Sequence, residues 1–140
     1  MKKISIIIPL YNLEGLIGKC IASALDQDLP PEEYEVIVVD DGSKDRTSEV
    51  LAETFDMHLV HRPIRRQINC QREEYVYETR AQKVPVTLIR KKNGGKADAL
   101  NMGINAANFP YFICMDADSV LQYDSLRRIA QPVLEDGKVV

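Results

Sequence analysis

Apolar residues recur along this chain in two alternating rhythms. Ile4-Ser5-Ile6-Ile7-Ile8 is a short, β-branched, near-continuous run. Such runs suit a strand buried on both faces, as in a parallel sheet. Pro9 is expected to end it, with Tyr11-Asn12 opening a loop. From about Glu14 to Gln27, Leu16, Ile17, Cys20, Ile21, Ala24 and Leu25 fall at i, i+3, i+4 spacing. That predicts a helix with one buried face, Asn12 as candidate N-cap, closed by Leu29-Pro30-Pro31. Tyr34 to Val39 predicts a second buried strand ending in Asp40-Asp41-Gly42-Ser43. Lys44 to Phe55 predicts a helix capped by Asp45 or Ser43.

Met57 to Pro85 breaks the rhythm. It is polar, basic and aromatic, and reads as an irregular insertion with short strands near His58–His61 and Tyr75–Glu78. The rhythm then resumes: a strand over Val86–Arg90, a helix over Gly95–Ala107 after a Gly-Gly turn, a strand over Tyr111–Met115, and a helix over Tyr123–Leu134 tolerating Pro132. Strand and helix in alternation predict an α/β fold with a mostly parallel, doubly wound sheet flanked by helices. The chain begins almost inside a strand, and Gly137-Lys138-Val139-Val140 reads as the opening of another, so a truncated domain is expected.

Composition changes this picture little. The 140 residues are 45% hydrophobic and 28% charged, as in an ordinary globular domain. No apolar run approaches the length of a membrane span, and Pro9 interrupts the run that a signal peptide would need. Cys20, Cys70 and Cys114 are too widely spaced for a metal site and read as reduced packing thiols.

Charge distribution changes it more. The formal net charge is −3. Residues 58–96 hold ten Lys or Arg against three acids, and the remainder holds eight against eighteen. A basic middle between acidic ends points to an anion handled at the centre. Arg62, Arg65, Arg66, Arg72 and Arg80 have other readings: a solvated basic loop, a contact with an anionic membrane surface, or a contact with an acceptor. No nucleic-acid-binding pattern is present. His58 and His61 read as surface residues.

The candidate chemistry gathers at strand ends, where open α/β sheets bind ligands. Pro9-Leu10-Tyr11-Asn12, Asp40-Asp41-Gly42-Ser43 and Asp116-Ala117-Asp118 each follow a strand, and Asn93-Gly94-Gly95-Lys96 opens a helix. All four converge on one crevice. In an extended segment Asp116 and Asp118 face the same side. Two hard oxygen ligands beside small Ala117 suit Mg²⁺ or Mn²⁺ and, through the metal, a diphosphate. Lys96 adds a charge where the helix start already favours an anion. Neither an NTPase phosphate loop nor a G-x-G-x-x-G turn is present.

These four segments, in this order and spacing, resemble the family 2 glycosyltransferases of the GT-A fold. Gly-Gly-Lys-Ala-Asp-Ala-Leu-Asn (Gly94–Asn101) resembles the membrane-integrated processive branch, which includes synthases of cellulose, hyaluronan, chitin and poly-N-acetylglucosamine. The resemblance implies a Rossmann-like nucleotide-sugar-binding fold. Residues 1–140 would be its N-terminal donor-binding part, with a basic insertion at about 57–85. It implies that Pro9 and Tyr11 flank the base, usually uracil. Asp41 would accept from the base's ring N–H, with Asp40 nearby or structural. Lys96 would face the diphosphate, Asp116 the ribose or sugar-phosphate, and Asp118 the metal, with Asn101 structural.

The reaction implied is inverting transfer from a nucleotide-diphosphate sugar, UDP-linked, to a hydroxyl of a glycan or lipid-linked acceptor. The catalytic base and the Gln-x-x-Arg-Trp acceptor segment of processive members are expected beyond Val140. Glu135-Asp136 reads as a solvated helix end. The whole protein would work at the cytoplasmic side of a membrane, anchored by segments outside this chain. The fragment itself would be soluble and inactive in transfer, with an exposed apolar patch favouring self-association. A nucleotidyltransferase, or a non-catalytic nucleotide-sugar-binding module, stays open as an alternative.

Overall fold

A computed structural model describes residues 3–13, 15, 17–79 and 83–129. The described residues form one six-stranded sheet from β1 (Ile4–Leu10), β2 (Tyr34–Asp40), β3 (Met57–Val60), β4 (Glu73–Thr79), β5 (Val86–Lys91) and β6 (Tyr111–Cys114). Helices α1 (Ile17–Leu25), α2 (Thr47–Thr54) and α3 (Lys96–Ala106) accompany it, with a 3₁₀ turn at Pro31–Glu33. The strand order is β3-β4-β5-β2-β1-β6. The four strands expected from buried apolar runs are the parallel ones, β5-β2-β1-β6.

Side-chain alternation sorts these strands into two cores. Ile4, Ile6, Ile8, Leu10, Val36 and Val38 pack with Ile17, Cys20, Ile21 and Leu51 of α1 and α2. Ile37, Val39 and Ile89 face the other way and pack with Ala99, Met102 and Ala106 of α3. Both faces of β1 and β2 are thus buried, which is why their sequences run apolar without a polar interleave. Gly103 lets α3 sit directly on β1: a Cβ there would lie 2.3 Å from Ile7 Cγ2.

Three local expectations are corrected. Strand β1 continues through Pro9 to Leu10. In a parallel ladder a residue's N–H and C=O point to the same neighbour. Ile7 O accepts from Met115 N (2.9 Å) and Leu10 O from Asp41 N (2.9 Å). Pro9 therefore faces β6's side, beyond the last paired residue there, and its missing N–H breaks no ladder bond. Asn12 is not the side-chain cap of α1. It adopts a left-handed φ of 53°, its N–H donates to Ser43 Oγ (2.8 Å) and its Oδ1 accepts from Lys44 N (2.8 Å). That use of Ser43 and Lys44 delays α2 to Thr47, whose N–H donates to Asp45 Oδ1 (3.1 Å).

Within the segment 57–85 the short strands expected near His58–His61 and Tyr75–Glu78 are present as β3 and β4. β3 pairs antiparallel with β4, and β4 pairs antiparallel with β5 across a bulge between Glu73 and Tyr75. The segment extends the sheet by two strands. Two of its arginines also act within the fold. Arg62 donates to Ala106 O (2.8 Å) and Asn108 Oδ1 (3.1 Å) and lies 3.5 Å from Glu78. Arg66 donates to Cys70 O (2.9 Å) and approaches Glu73 at 3.7 Å.

Residues 125–129 are helical. The expected continuation of that helix with Pro132, the Glu135-Asp136 end and the strand opening at 137–140 lie outside the described residues, as does Arg80. Among the described residues no helix is long and apolar enough to cross a membrane.

Candidate nucleotide and metal site

In this strand order β1 lies between β2 and β6. α1 returns the chain on one face of β1, and α3 packs on the other. Here the sheet reverses its winding, and a crevice opens beyond the carboxyl ends of such strands. A cavity of about 470 Å³ occupies it, lined by Pro9, Leu10, Tyr11 and Leu13 after β1, Asp41 after β2, Lys96 and Ala99 of α3, and Asp116, Ala117 and Asp118 after β6. Its size suits a small-molecule ligand. All the site residues anticipated from sequence except Asp40 line it.

Asp40 and Asp41 are adjacent and do different work. Asp40 has no exposed surface. Its Oδ1 accepts from Ser43 N (2.9 Å) and its Oδ2 from the Ser48 hydroxyl, with Arg90 Nη1 3.6 Å from Oδ2. It braces the turn after β2 from beneath. Gly42 completes that turn with φ +72°, and a Cβ there would lie 2.8 Å from Asn93 N. Glycine alone satisfies both demands.

Asp41 stands at the pocket wall, 5% exposed. Its Oδ1 accepts from Gly94 N (3.0 Å) and from Lys91 Nζ. Its Oδ2 accepts from Gly95 N (2.8 Å) and, more loosely, from Asn93 Nδ2 (3.3 Å). Asn93 Nδ2 also donates to Asp41 O (2.9 Å). Asp41 thereby ties the Asn93-Gly94-Gly95 turn to the end of β2 and fixes where α3 begins.

Lys96 is the first residue of α3 and points outward. Its Nζ donates to Asp116 Oδ1 at 2.7 Å, both side chains remaining largely exposed. That hydrogen bond, with the charge of Asp116, holds the Lys96 ammonium above its usual pKa. Asp116 and Asp118 are exposed on either side of buried Ala117. Beneath them Cys20 of α1 donates its thiol to Asp116 O (3.6 Å). Burial, with the charges of Asp118 and Asp116, pushes the Cys20 thiol up to about 11. It stays protonated and packs under the loop.

Two exposed carboxylates would give a divalent cation part of its shell. Among the described residues no group of three or more His, Cys, Asp or Glu is placed to hold an ion. The remaining positions would fall to water and ligand oxygens, the habit of Mg²⁺ with phosphates. The donor set therefore fits Mg²⁺ or Mn²⁺ bound together with a phosphate ligand.

Sequence reasoning missed Lys91. It reads as one of two lysines at a strand end, yet it has no exposed surface, while Lys92 is exposed. Strand parity held the signal: Lys91 lies two residues beyond Ile89, on the face that α3 covers.

Relatives of this chain share both its sequence and its fold. It is 30% identical over 126 residues to the poly(ribitol-phosphate) beta-glucosyltransferase of Bacillus spizizenii, covering 90% of this chain and 16% of that protein. It is 29% identical over 122 residues to a poly-beta-1,6-N-acetyl-D-glucosamine synthase of Staphylococcus epidermidis, covering 87% and 23%. The chain thus spans less than a third of the length of these relatives. Among solved structures it resembles S. aureus TarS 1-349 in complex with UDP-GlcNAc, with TM-score 0.70 and 25% identity over 97% of this chain and 32% of that one. It equally resembles the mannosyltransferase PcManGT of Pyrobaculum calidifontis in complex with GDP-Man and Mn²⁺, with TM-score 0.70 and 26% identity over 98% and 33%. The mostly parallel sheet with flanking helices is the GT-A architecture of these glycosyltransferases. The family model for glycosyl transferase family 2 matches residues 5–140, nearly the whole length, and the chain belongs to that family.

Proposed function

We propose that this chain binds the nucleotide diphosphate of a UDP-linked sugar together with Mg²⁺ or Mn²⁺, as the donor-binding part of an inverting glycosyltransferase. The observation that carries this reading is the convergence of Tyr11, Asp41, Lys96, Asp116 and Asp118 on one cavity at the winding reversal of the sheet. Solved structures of relatives in complex with UDP-GlcNAc and with GDP-Man and Mn²⁺ support it by likeness.

Pro9 and Tyr11 form an apolar slot for the base. Asp41 accepts from the base's ring N–H, which takes the place of the Asn93 amide, the longest of its four donors. Lys96 would leave Asp116 and turn to the diphosphate, and Asp116 and Asp118 would hold the cation. The metal, when bound, supplies charge neutralisation for the departing diphosphate. Lys96 adds a second positive charge at the same oxygens. The group that takes the acceptor's proton belongs to the rest of the enzyme, as do the glycan or lipid-linked acceptor and the attachment to the cytoplasmic side of a membrane. The chain alone therefore binds donor without transferring sugar.

Isothermal calorimetry of residues 1–140 with UDP, with and without Mn²⁺, tests this directly. Binding that requires both is expected. A chain that takes up no UDP at millimolar Mn²⁺ sinks the reading.

Self-association of the isolated chain belongs to the same proposal. Among the described residues β6 is an edge strand, and on the face shared with Ser5 and Ile7 it presents Phe112, 47% exposed, and exposed Cys114. Val120, Tyr123 and Ile129 nearby in sequence are also exposed. Unpaired strand edges with apolar side chains favour pairing with another chain. Concentration-dependent light scattering is expected, and a monomer at all concentrations argues against it.

A further inference from the structure

We infer that Lys91 is a positioning residue of the donor site, a buried clamp that holds Asp41 and Asp98 together and so sets the base-binding end of the pocket. The inference rests on the donor-site reading above.

The Lys91 ammonium has three N–H groups and three acceptors. It meets Asp41 Oδ1, Asp98 Oδ2 at 2.6 Å and its neighbour's carbonyl, Lys92 O, at 2.7 Å. No part of its side chain is exposed. A buried cation with every proton placed cannot shift without stranding a charge. The two carboxylates it joins come from different elements, Asp41 from the end of β2 and Asp98 from the first turn of α3. Asp98 reaches further, accepting from Gln71 N (3.0 Å) just before β4. Lys92 N donates to Arg72 O (3.0 Å) in the same run. The clamp thus joins the ends of β2 and β5, the start of α3 and the approach to β4.

Packing around the clamp leaves no slack. A Cβ on Gly94 would lie 2.5 Å from Asp98 Oδ2 and 2.9 Å from Gln71 Cγ. The turn whose N–H groups hold Asp41 is therefore pressed against the other half of the clamp. Burial raises the Asp98 pKa, but the hydrogen bonds from Lys91 and from Gln71 N outweigh it and hold the carboxyl below its usual value. Asp98 stays ionised, as the clamp needs. Lys91 touches neither Lys96 nor Asp116, so its influence runs to the base end of the site through Asp41 and not to the diphosphate end.

Lys91→Met removes the charge and keeps the stem. UDP affinity in the presence of Mn²⁺ is expected to fall about tenfold or more, the scale of a lost charge-assisted hydrogen bond. Affinity for Mn²⁺-pyrophosphate, which needs only the diphosphate end, is expected to stay within about twofold. Asp98→Asn, at a partly exposed position, carries the same test should Lys91→Met not fold, with an expected loss of about threefold or more for UDP alone. UDP affinity within about twofold of the parent in a folded variant overturns the inference. So does a parallel fall of UDP and pyrophosphate binding, the mark of a merely structural residue. A parent chain that binds no UDP fails the donor-site reading before either variant is measured.

Discussion

Asp118→Ala is expected to abolish Mn²⁺-dependent UDP binding while leaving the fold intact. The argument starts from exposure. Asp118 is solvent-facing, and its carboxylate braces no turn, unlike that of Asp40. Replacing such a surface carboxylate changes stability little. Its cost falls on function. Asp116 meets Lys96 in the free chain, so Asp118 would be the first carboxylate to meet an incoming metal, with Asp116 joining once Lys96 turns to the diphosphate. A cation here takes most of its ligands from water and phosphate, and losing one of its two protein carboxylates removes half of what anchors it. Even partners outside the metal's inner shell are worth about 10–100-fold in affinity, and a direct ligand is expected to reach or exceed that range. Calorimetry with UDP at fixed Mn²⁺ reads the loss, and circular dichroism reads the fold. Metal-dependent UDP affinity equal to the parent's would remove Asp118 from the metal role. A variant that loses binding along with its secondary structure would make it a structural residue instead.

Much of this was legible in the sequence because burial and chemistry left separate marks. β1, β2 and β5 carry runs of Ile, Val and Leu that only a sheet covered on both faces accepts, and short β6 follows the same rhythm. Their ends carry the residues that line the cavity. β3 and β4 showed only as short strands within a segment that otherwise reads as irregular, and their pairing into the sheet did not show. Glu73-Glu74-Tyr75-Val76-Tyr77-Glu78-Thr79 buries only Val76, since it lies on the antiparallel side of the sheet where covering is partial. A strand that is mostly half-exposed leaves the polar pattern of a loop. Arg62 and Arg66 looked like surface charge for the same reason, although their partners are carbonyls and acids brought near only by the fold. The division of labour between Asp40 and Asp41 came from the resemblance alone, which gave the base to Asp41 and left Asp40 nearby or structural. Two adjacent strand-end carboxylates read alike until alternation sends one beneath the turn and the other to the cavity wall.

That division predicts a second large effect, on stability instead of binding. Asp40→Ala is expected to destabilise the chain by about 3 kcal/mol, since a fully buried carboxylate with hydrogen-bonded partners is lost. Ser43 N and the Ser48 hydroxyl lose their acceptor in a site closed to water. Arg90 fares better, because it keeps Ser43 O at 2.9 Å and Glu74 at 3.4 Å. The cost therefore sits below that of a buried ion pair broken outright. It also spreads. Ser43 holds the Asn12 N–H, and Asn12 in turn holds Lys44 N, so loosening the turn after β2 loosens the Pro9–Asn12 wall of the cavity. Urea denaturation measures the first consequence. UDP titration well below the melting temperature measures the second, where a weaker but still metal-dependent affinity is expected. A denaturation free energy within about 1 kcal/mol of the parent's would show that the buried hydrogen bonds of Asp40 do not brace this turn. Asp41→Ala should differ in binding. Its carboxylate faces the cavity, so UDP affinity falls further than in Asp40→Ala, while the lost acceptor for buried Lys91, Gly94 N and Gly95 N also costs stability. The ratio of stability loss to affinity loss in the two neighbouring variants separates the brace from the contact.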